Sequence, residues 1–191
     1  MKSSNKTQIQ QAFTQQAAGF EGKRMNFSKQ DYLYSVVQKT APTKTDAVLE
    51  VAAGTCACGR TIAPYAGNVV CLDMTPAMLS VGKSEAGKKH LDNMTFVLGD
   101  AAELPFLNGS FDIVLSRLAF QHFPDVKQPF AEMVRVLKPD GKLVLIDMEA
   151  AEESLRETED GIEKMRDPSH VRFRKLVIIN RAGVFYLKFV M

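Results

Sequence analysis

Between residues 47 and 148, short apolar runs rich in Val, Ile and Leu alternate with segments whose apolar residues recur at helical spacing. The runs are 47–51, 68–72, 95–98, 111–115 and 142–147. They show little polar alternation, which suits parallel strands buried on both faces. Segment 75–86 opens on Thr75-Pro76, a capping residue followed by proline at the first helical position. Segment 124–137 is read as a helix with Val126, Phe130, Met133, Val134 and Leu137 on one face. Lys138-Pro139-Asp140-Gly141 ends it, because proline biases its predecessor away from helical geometry. Strand and helix in alternation predict an α/β fold with a doubly wound, mostly parallel sheet. Ahead of it lie two helical segments. Segment 8–20 carries Ile9, Ala12, Phe13, Ala17 and Phe20; segment 28–40 carries Leu33, Val36 and Val37, with Ser28 as cap and Asp31 three residues on. They either roof the strand ends or cover a sheet edge. The expected layout is a single domain over 1–191: a helical cap over 1–45, a core over 46–149 and a C-terminal segment over 150–191.

Composition narrows the partners. The 191 residues carry 24 basic and 22 acidic side chains, a balance that gives no general electrostatic case for nucleic acid. Charge is uneven: residues 147–163 are acidic, and the last twenty residues are basic, which reads as a solvated helix and tail. No apolar run approaches the roughly 20 residues a membrane span needs. Cysteine numbers three, and Cys56-Ala57-Cys58 is not a disulfide framework. A reducing compartment follows, with the cytoplasm as the default. His90, His122 and His170 are scattered, so no closed zinc set forms around the cysteine pair and no metal is expected.

In an open α/β sheet, ligands bind beyond the carboxyl ends of the strands. The first such turn reads Ala52-Ala53-Gly54-Thr55-Cys56, whose small residues permit close approach to the backbone. Asp73 follows the second run, 23 residues beyond Glu50. Its carboxylate suits a ribose diol. Gly99-Asp100-Ala101 follows the third, and Asp100 can accept from an exocyclic amine. Ser116, Arg117 and Leu118 follow the fourth. Together these residues describe a pocket for an adenosine-containing ligand.

The stretches VLEVAAGTCACGR, VVCLDMTPAML, FVLGDAAELPF, FDIVLSRLAFQHFPD and RVLKPDGKLVLID, in that order, resemble the motifs of class I S-adenosylmethionine-dependent methyltransferases. The resemblance covers roughly residues 10–170 and is closest in flavour to the small-molecule branch that includes quinone-biosynthesis C-methyltransferases. It implies a seven-stranded sheet in the order 3-2-1-4-5-7-6 with strand 7 antiparallel. It implies S-adenosyl-L-methionine as cofactor, S-adenosyl-L-homocysteine as product, and a small-molecule acceptor. Carried over by motif, Glu50 lies near the methionine amino group through the turn, and Ala52 and Gly54 stand in the glycine turn. Asp73 holds the ribose hydroxyls and Met74 lies against the adenine. Asp100 meets the adenine amine, Ala101 offers its backbone, and Ser116 and Arg117 line the methionine and methyl end.

The family's turn usually reads G-x-G-x-G, and this one reads Ala52-x-Gly54-x-Cys56. A positive φ at Ala52 costs on the order of 1 kcal/mol. The Cys56 side chain is expected in space that glycine leaves for the cofactor, giving a slightly displaced loop and weakened affinity. Methyl transfer from a sulfonium chiefly requires alignment, so no catalytic residue is mandatory. His122 is a candidate for positioning or deprotonating the acceptor. His170 and Arg172 are candidates for reaching it. The end of the chain is read in two ways. In one, 176–180 and 184–190 form a hairpin around Arg181-Ala182-Gly183; in the other, a last helix is followed by a lone strand at 184–190. The alternative function is a cofactor-binding but catalytically impaired partner or regulatory subunit. A nicotinamide oxidoreductase is disfavoured by the absence of G-x-G-x-x-G, and a nucleic-acid methyltransferase by SRLAF after the fourth run. The assembly expected is a monomer or homodimer.

Overall fold

The five strands expected between residues 47 and 148 form, and they pair in parallel as the pattern requires. A computed structural model describes residues 2–22, 30–148 and 188–189. Helix α1 (Lys2–Gln16) runs into a 3-10 turn (Ala17–Gly19), and α2 (Gln30–Thr40) leads to the sheet. Then come β1 (Ala47–Val51), α3 (Ala57–Ile62), β2 (Asn68–Asp73), α4 (Pro76–Lys88) and β3 (Met94–Leu98). They are followed by β4 (Phe111–Arg117), a 3-10 turn (Phe120–His122), α5 (Lys127–Val136), β5 (Leu137–Met148) and β6 (Lys188–Phe189). Thr75 stands at the N-cap of α4 with Pro76 behind it, as the sequence suggests, although its hydroxyl makes no capping bond.

Sheet order is β3-β2-β1-β4-β5-β6. Every pairing from β3 to β5 is parallel. The period of two along each strand sorts its side chains between two cores. Val48, Val69, Cys71, Ile113, Leu115, Val144 and Ile146 pack with Val36 of α2, Ile62 of α3 and Leu79 of α4. Leu49, Val51, Val70, Leu72, Val114, Leu143 and Leu145 pack with Met133 and Val136 of α5. Two apolar faces covered by helices are what make the runs continuous.

Three expectations change. The β3 strand is not buried on both faces: it is the sheet edge, and Leu98 is 60% exposed. Val134 leaves the buried stripe of α5 and is 47% exposed. At about 100° per residue, it lies about 130° round the helix from the centre of the three buried residues Pro129, Met133 and Val136. Beside β5 the resemblance implies an antiparallel strand, whereas Lys188–Phe189 runs parallel to Asp147 and Met148. The 176–180 arm of the expected hairpin, the Ser28 cap, His170 and Arg172 lie outside the described residues, as does most of the acidic 147–163 stretch.

Candidate functional site

Strand β1 has β2 on one side and β4 on the other, so the strand order reverses beside it. That opens a crevice at the carboxyl ends of β1 and β4. The first turn enters it with a regular backbone feature. Ala52, Gly54 and Cys56 take φ values of 53°, 53° and 60°. Three alternate residues thus sit in the left-handed region that glycine adopts freely, although only Gly54 is a glycine. Leu118, just after β4, is at φ 55°. Strained backbone of this kind persists where surrounding structure enforces it, and it clusters at functional sites.

Cys56 corrects the sequence reading. Its side chain does not enter cofactor space; it is fully buried in the core shared by α2, α3 and α4. A Cβ on Gly82 of α4 would stand 2.8 Å from its sulfur, so a glycine on the neighbouring helix makes the room. On the open side, a Cβ on Gly54 would meet nothing nearer than the Phe20 ring at 3.8 Å. Burial pushes the Cys58 thiol well up, with the nearby Glu50 charge adding to it. Contact with Cys56 and burial do the same for Cys71. Cys58 and Cys71 are therefore held as protonated packing groups, poor as metal ligands or nucleophiles.

Asp73 ties the turn to α4. One carboxylate oxygen accepts from the Gly54 amide and the other from the Thr75 amide, each at 2.8 Å. Burial pushes its pKa up against those hydrogen bonds. The Thr75 side chain and the Met74 amide add to these bonds. Met74 follows, partly exposed, with its carbonyl accepting from Gln10 Nε2 at 2.7 Å. Asp100 accepts from the Ala102 amide at 2.9 Å and from Lys6. Burial pulls its pKa up, but the Lys6 ammonium and the Ala102 amide outweigh that and leave it lowered. Ala101 is buried beside it.

Glu50 sits lower, sealed in the core at 3% exposure. It accepts from the Gly59 amide at 2.7 Å and from the Cys71 thiol at 3.6 Å. Its immediate role is to hold the first turn of α3. Burial raises its pKa to about 7; the Gly59 amide, the Cys71 thiol, Arg117 and Cys58 oppose the rise. Arg117 thus lies in electrostatic range of Glu50. Ser116, also buried, carries the one buried side-chain polar atom among the described residues without a hydrogen-bond partner. Such an orphan at a strand end suits a polar ligand. His122 packs edge-on against Phe13 with ring centroids 5.0 Å apart.

The structure therefore brings Ala52, Gly54, Asp73, Met74, Asp100, Ala101, Ser116, Arg117 and His122 to one end of the sheet, with Glu50 beneath. Sequence reasoning missed Lys6 and Gln10, which reach the site from the N-terminal segment, while Phe20 reaches it as the roofing alternative for segment 8–20 allows. Lys6 and Asp100 are 94 residues apart in the chain, and no local period marks the pair. The residues present fit an adenosyl-methionine group: close backbone approach at Gly54, a carboxylate after β2, a second after β3, and an orphaned hydroxyl after β4.

A family model described as a methyltransferase domain matches residues 49–145. The uncharacterized methyltransferase YcgJ of Bacillus subtilis is 39% identical over 136 residues, covering 70% of this chain and 54% of that protein. A demethylmenaquinone methyltransferase of Renibacterium salmoninarum is 39% identical over 115 residues, covering 59% and 45%. The crystal structure of Bacillus subtilis YcgJ superposes with a TM-score of 0.67 at 34% identity, covering 74% of this chain and 61% of that one. The chain spans about half the length of the curated relatives it matches.

Proposed function

The chain belongs to the class I S-adenosylmethionine-dependent methyltransferases, and from that premise we propose that it transfers a methyl group from S-adenosylmethionine to a small-molecule acceptor. The observation that carries this reading is the convergence of a left-handed turn at 52–56 with Asp73 and Asp100 at three neighbouring strand ends. When bound, the cofactor supplies a methyl group on a sulfonium, already activated for in-line displacement. The protein's part is to hold and align. Asp73 accepts from the ribose hydroxyls while keeping the Gly54 amide in place. Asp100 accepts from the adenine amine, Met74 lies along the base, and the Ala101 backbone borders it. The turn at Ala52 and Gly54 brings backbone amides to the methionine portion, with Ser116 and Arg117 completing that end. Glu50 supports the turn from below through α3 rather than by reaching the ligand. His122, packed edge-on against Phe13 after β4, is our candidate for orienting the acceptor.

Cys56, Cys58 and Cys71 are unpaired thiols, which agrees with the reducing cytoplasm we propose as its place. No described helix is long and apolar enough to cross a membrane. Two measurements test the reading. Calorimetric titration with S-adenosylhomocysteine is expected to show one site per chain. Incubation with S-adenosylmethionine and a panel of small acceptors is expected to release S-adenosylhomocysteine. Binding without release from any acceptor would favour a non-catalytic, cofactor-holding role.

A further inference from the structure

Lys6, Gln10 and Phe13 share one face of α1, at the spacing that stacks side chains along a helix. That face lies over the strand ends. Lys6 is ion-paired with Asp100 after β3. Gln10 donates to the Met74 carbonyl after β2. Phe13 meets His122 after β4, and Phe20, beyond the helix, approaches Gly54 in the first turn. One short segment thereby touches every turn of the candidate site. Its Lys6 contact also competes with a bound ligand for the exposed side of Asp100. On the adenosine reading of the previous subsection, on which this inference rests, the Asp100 carboxylate receives the adenine amine. One of its oxygens already serves the Ala102 amide, and Lys6 takes the other.

We propose that α1 is a self-latch over the nucleoside half of the site. Lys6 fills the amine-accepting position of Asp100, and cofactor entry exchanges the lysine ammonium for the adenine amine. Gln10 on Met74 anchors the helix beside that exchange. The latch is weak enough to open: the Lys6 and Asp100 side chains are 47% and 36% exposed, so water and salt screen the pair. Ile9 on α1 and Ala17 in the turn that follows it, both buried, hold the segment near its place when the pair parts.

The test is calorimetric titration of S-adenosylhomocysteine into the wild-type chain, Lys6→Met and Gln10→Ala, each at low and high salt. Lys6→Met keeps an unbranched apolar stem and removes the charge from a half-exposed position, so folding is spared. It is expected to bind about two- to fivefold tighter at low salt, the range an exposed ion pair can shift. Gln10→Ala moves the same way. Wild-type binding tightens as salt screens the latch, and this response disappears in Lys6→Met. Equal or weaker binding by Lys6→Met, with the salt response retained, overturns the latch and leaves the adenosine reading intact. Absence of binding in all three chains overturns the adenosine reading and the latch together.

Discussion

Ala52 and Cys56 hold backbone that glycine adopts freely, at about 1 kcal/mol each. Only one of them should gain from becoming glycine. Ala52→Gly removes strain and little else, so stability should change by no more than about 1 kcal/mol, with affinity equal or improved. Cys56→Gly also empties a packed site, because the thiol is buried under the loop. A net loss of about 1–2 kcal/mol is expected in urea unfolding, with S-adenosylhomocysteine affinity nearly unchanged. A clear gain in affinity would show instead that the thiol obstructs the ligand. Gly82→Ala presses the same spot from α4, where its Cβ would stand 2.8 Å from both the Cys56 sulfur and the Thr55 carbonyl. It should cost about 1–3 kcal/mol, only partly recovered in combination with Cys56→Gly, because the carbonyl stays. Glu50 carries a pH signature. Unfolded, it loses its proton near 4.5; folded, near about 7, chiefly because it is buried. Between those values the native state keeps a proton that the unfolded chain has released. The group's stabilising contribution is therefore full below about 4.5 and is lost as pH rises through about 7. The span is worth roughly 3 kcal/mol. Glu50→Gln keeps an acceptor for Gly59 and does not titrate. Its melting temperature should vary less than the wild type's between pH 5 and pH 8, with the relative gain at the alkaline end; parallel curves would refute the buried-proton account.

At the level of elements, the central sheet was legible because burial on both faces writes an uninterrupted apolar run. The β1 strand matches its expected run, and β2, β3 and β4 extend theirs by one or two residues. What failed lies where burial is one-sided. Edge strand β3 carries the same kind of run as its buried neighbours, and a run cannot report that no strand lies beyond it. Helix α5 was found, but Val134 lies outside its buried stripe, and a list of apolar positions cannot resolve that angle. The strand-end residues were legible as a set, since each follows a recognisable run. That segment 8–20 roofs them was one of two readings the sequence left open; which α1 side chains press on them was not legible, because Gln10 and Met74 are 64 residues apart and the contact exists only after folding. Arg135 is a similar case. It donates to the Leu104 and Phe106 carbonyls, to Asn108 and to Glu132, and Glu132 accepts from the Leu104 amide. One ion pair on α5 thereby fixes the loop that leaves Asp100. Arg135→Ala should speed hydrogen exchange at 104–108, lower the melting temperature and leave exchange in β1 and β2 unchanged. A uniform change across the sheet would mean that the pair supports the whole fold rather than the loop.

Across the whole molecule, the two halves of the sheet meet at β1 and β4, and the ligand proposed for that crevice bridges them. Ligand binding should then appear as added global stability. S-adenosylhomocysteine at a hundredfold excess over its Kd adds about 2.7 kcal/mol to the native state if the unfolded chain does not bind it. Asp73 is where this coupling can be cut with least ambiguity. Its two oxygens serve the Gly54 and Thr75 amides, linking the β1 turn to the start of α4. In Asp73→Asn one of those acceptors becomes an amide nitrogen facing a donor. The unliganded protein should lose about 1–3 kcal/mol from the broken bond. If the same carboxylate also receives the ribose hydroxyls, affinity falls at least about tenfold. The ligand's added stability at fixed concentration then shrinks by about 1.4 kcal/mol. The two losses are separable by thermal unfolding of wild type and variant, each with and without ligand. A variant that is destabilised yet keeps the full ligand increment would make Asp73 a fastener of the turn alone and would move the ribose contact elsewhere in the crevice.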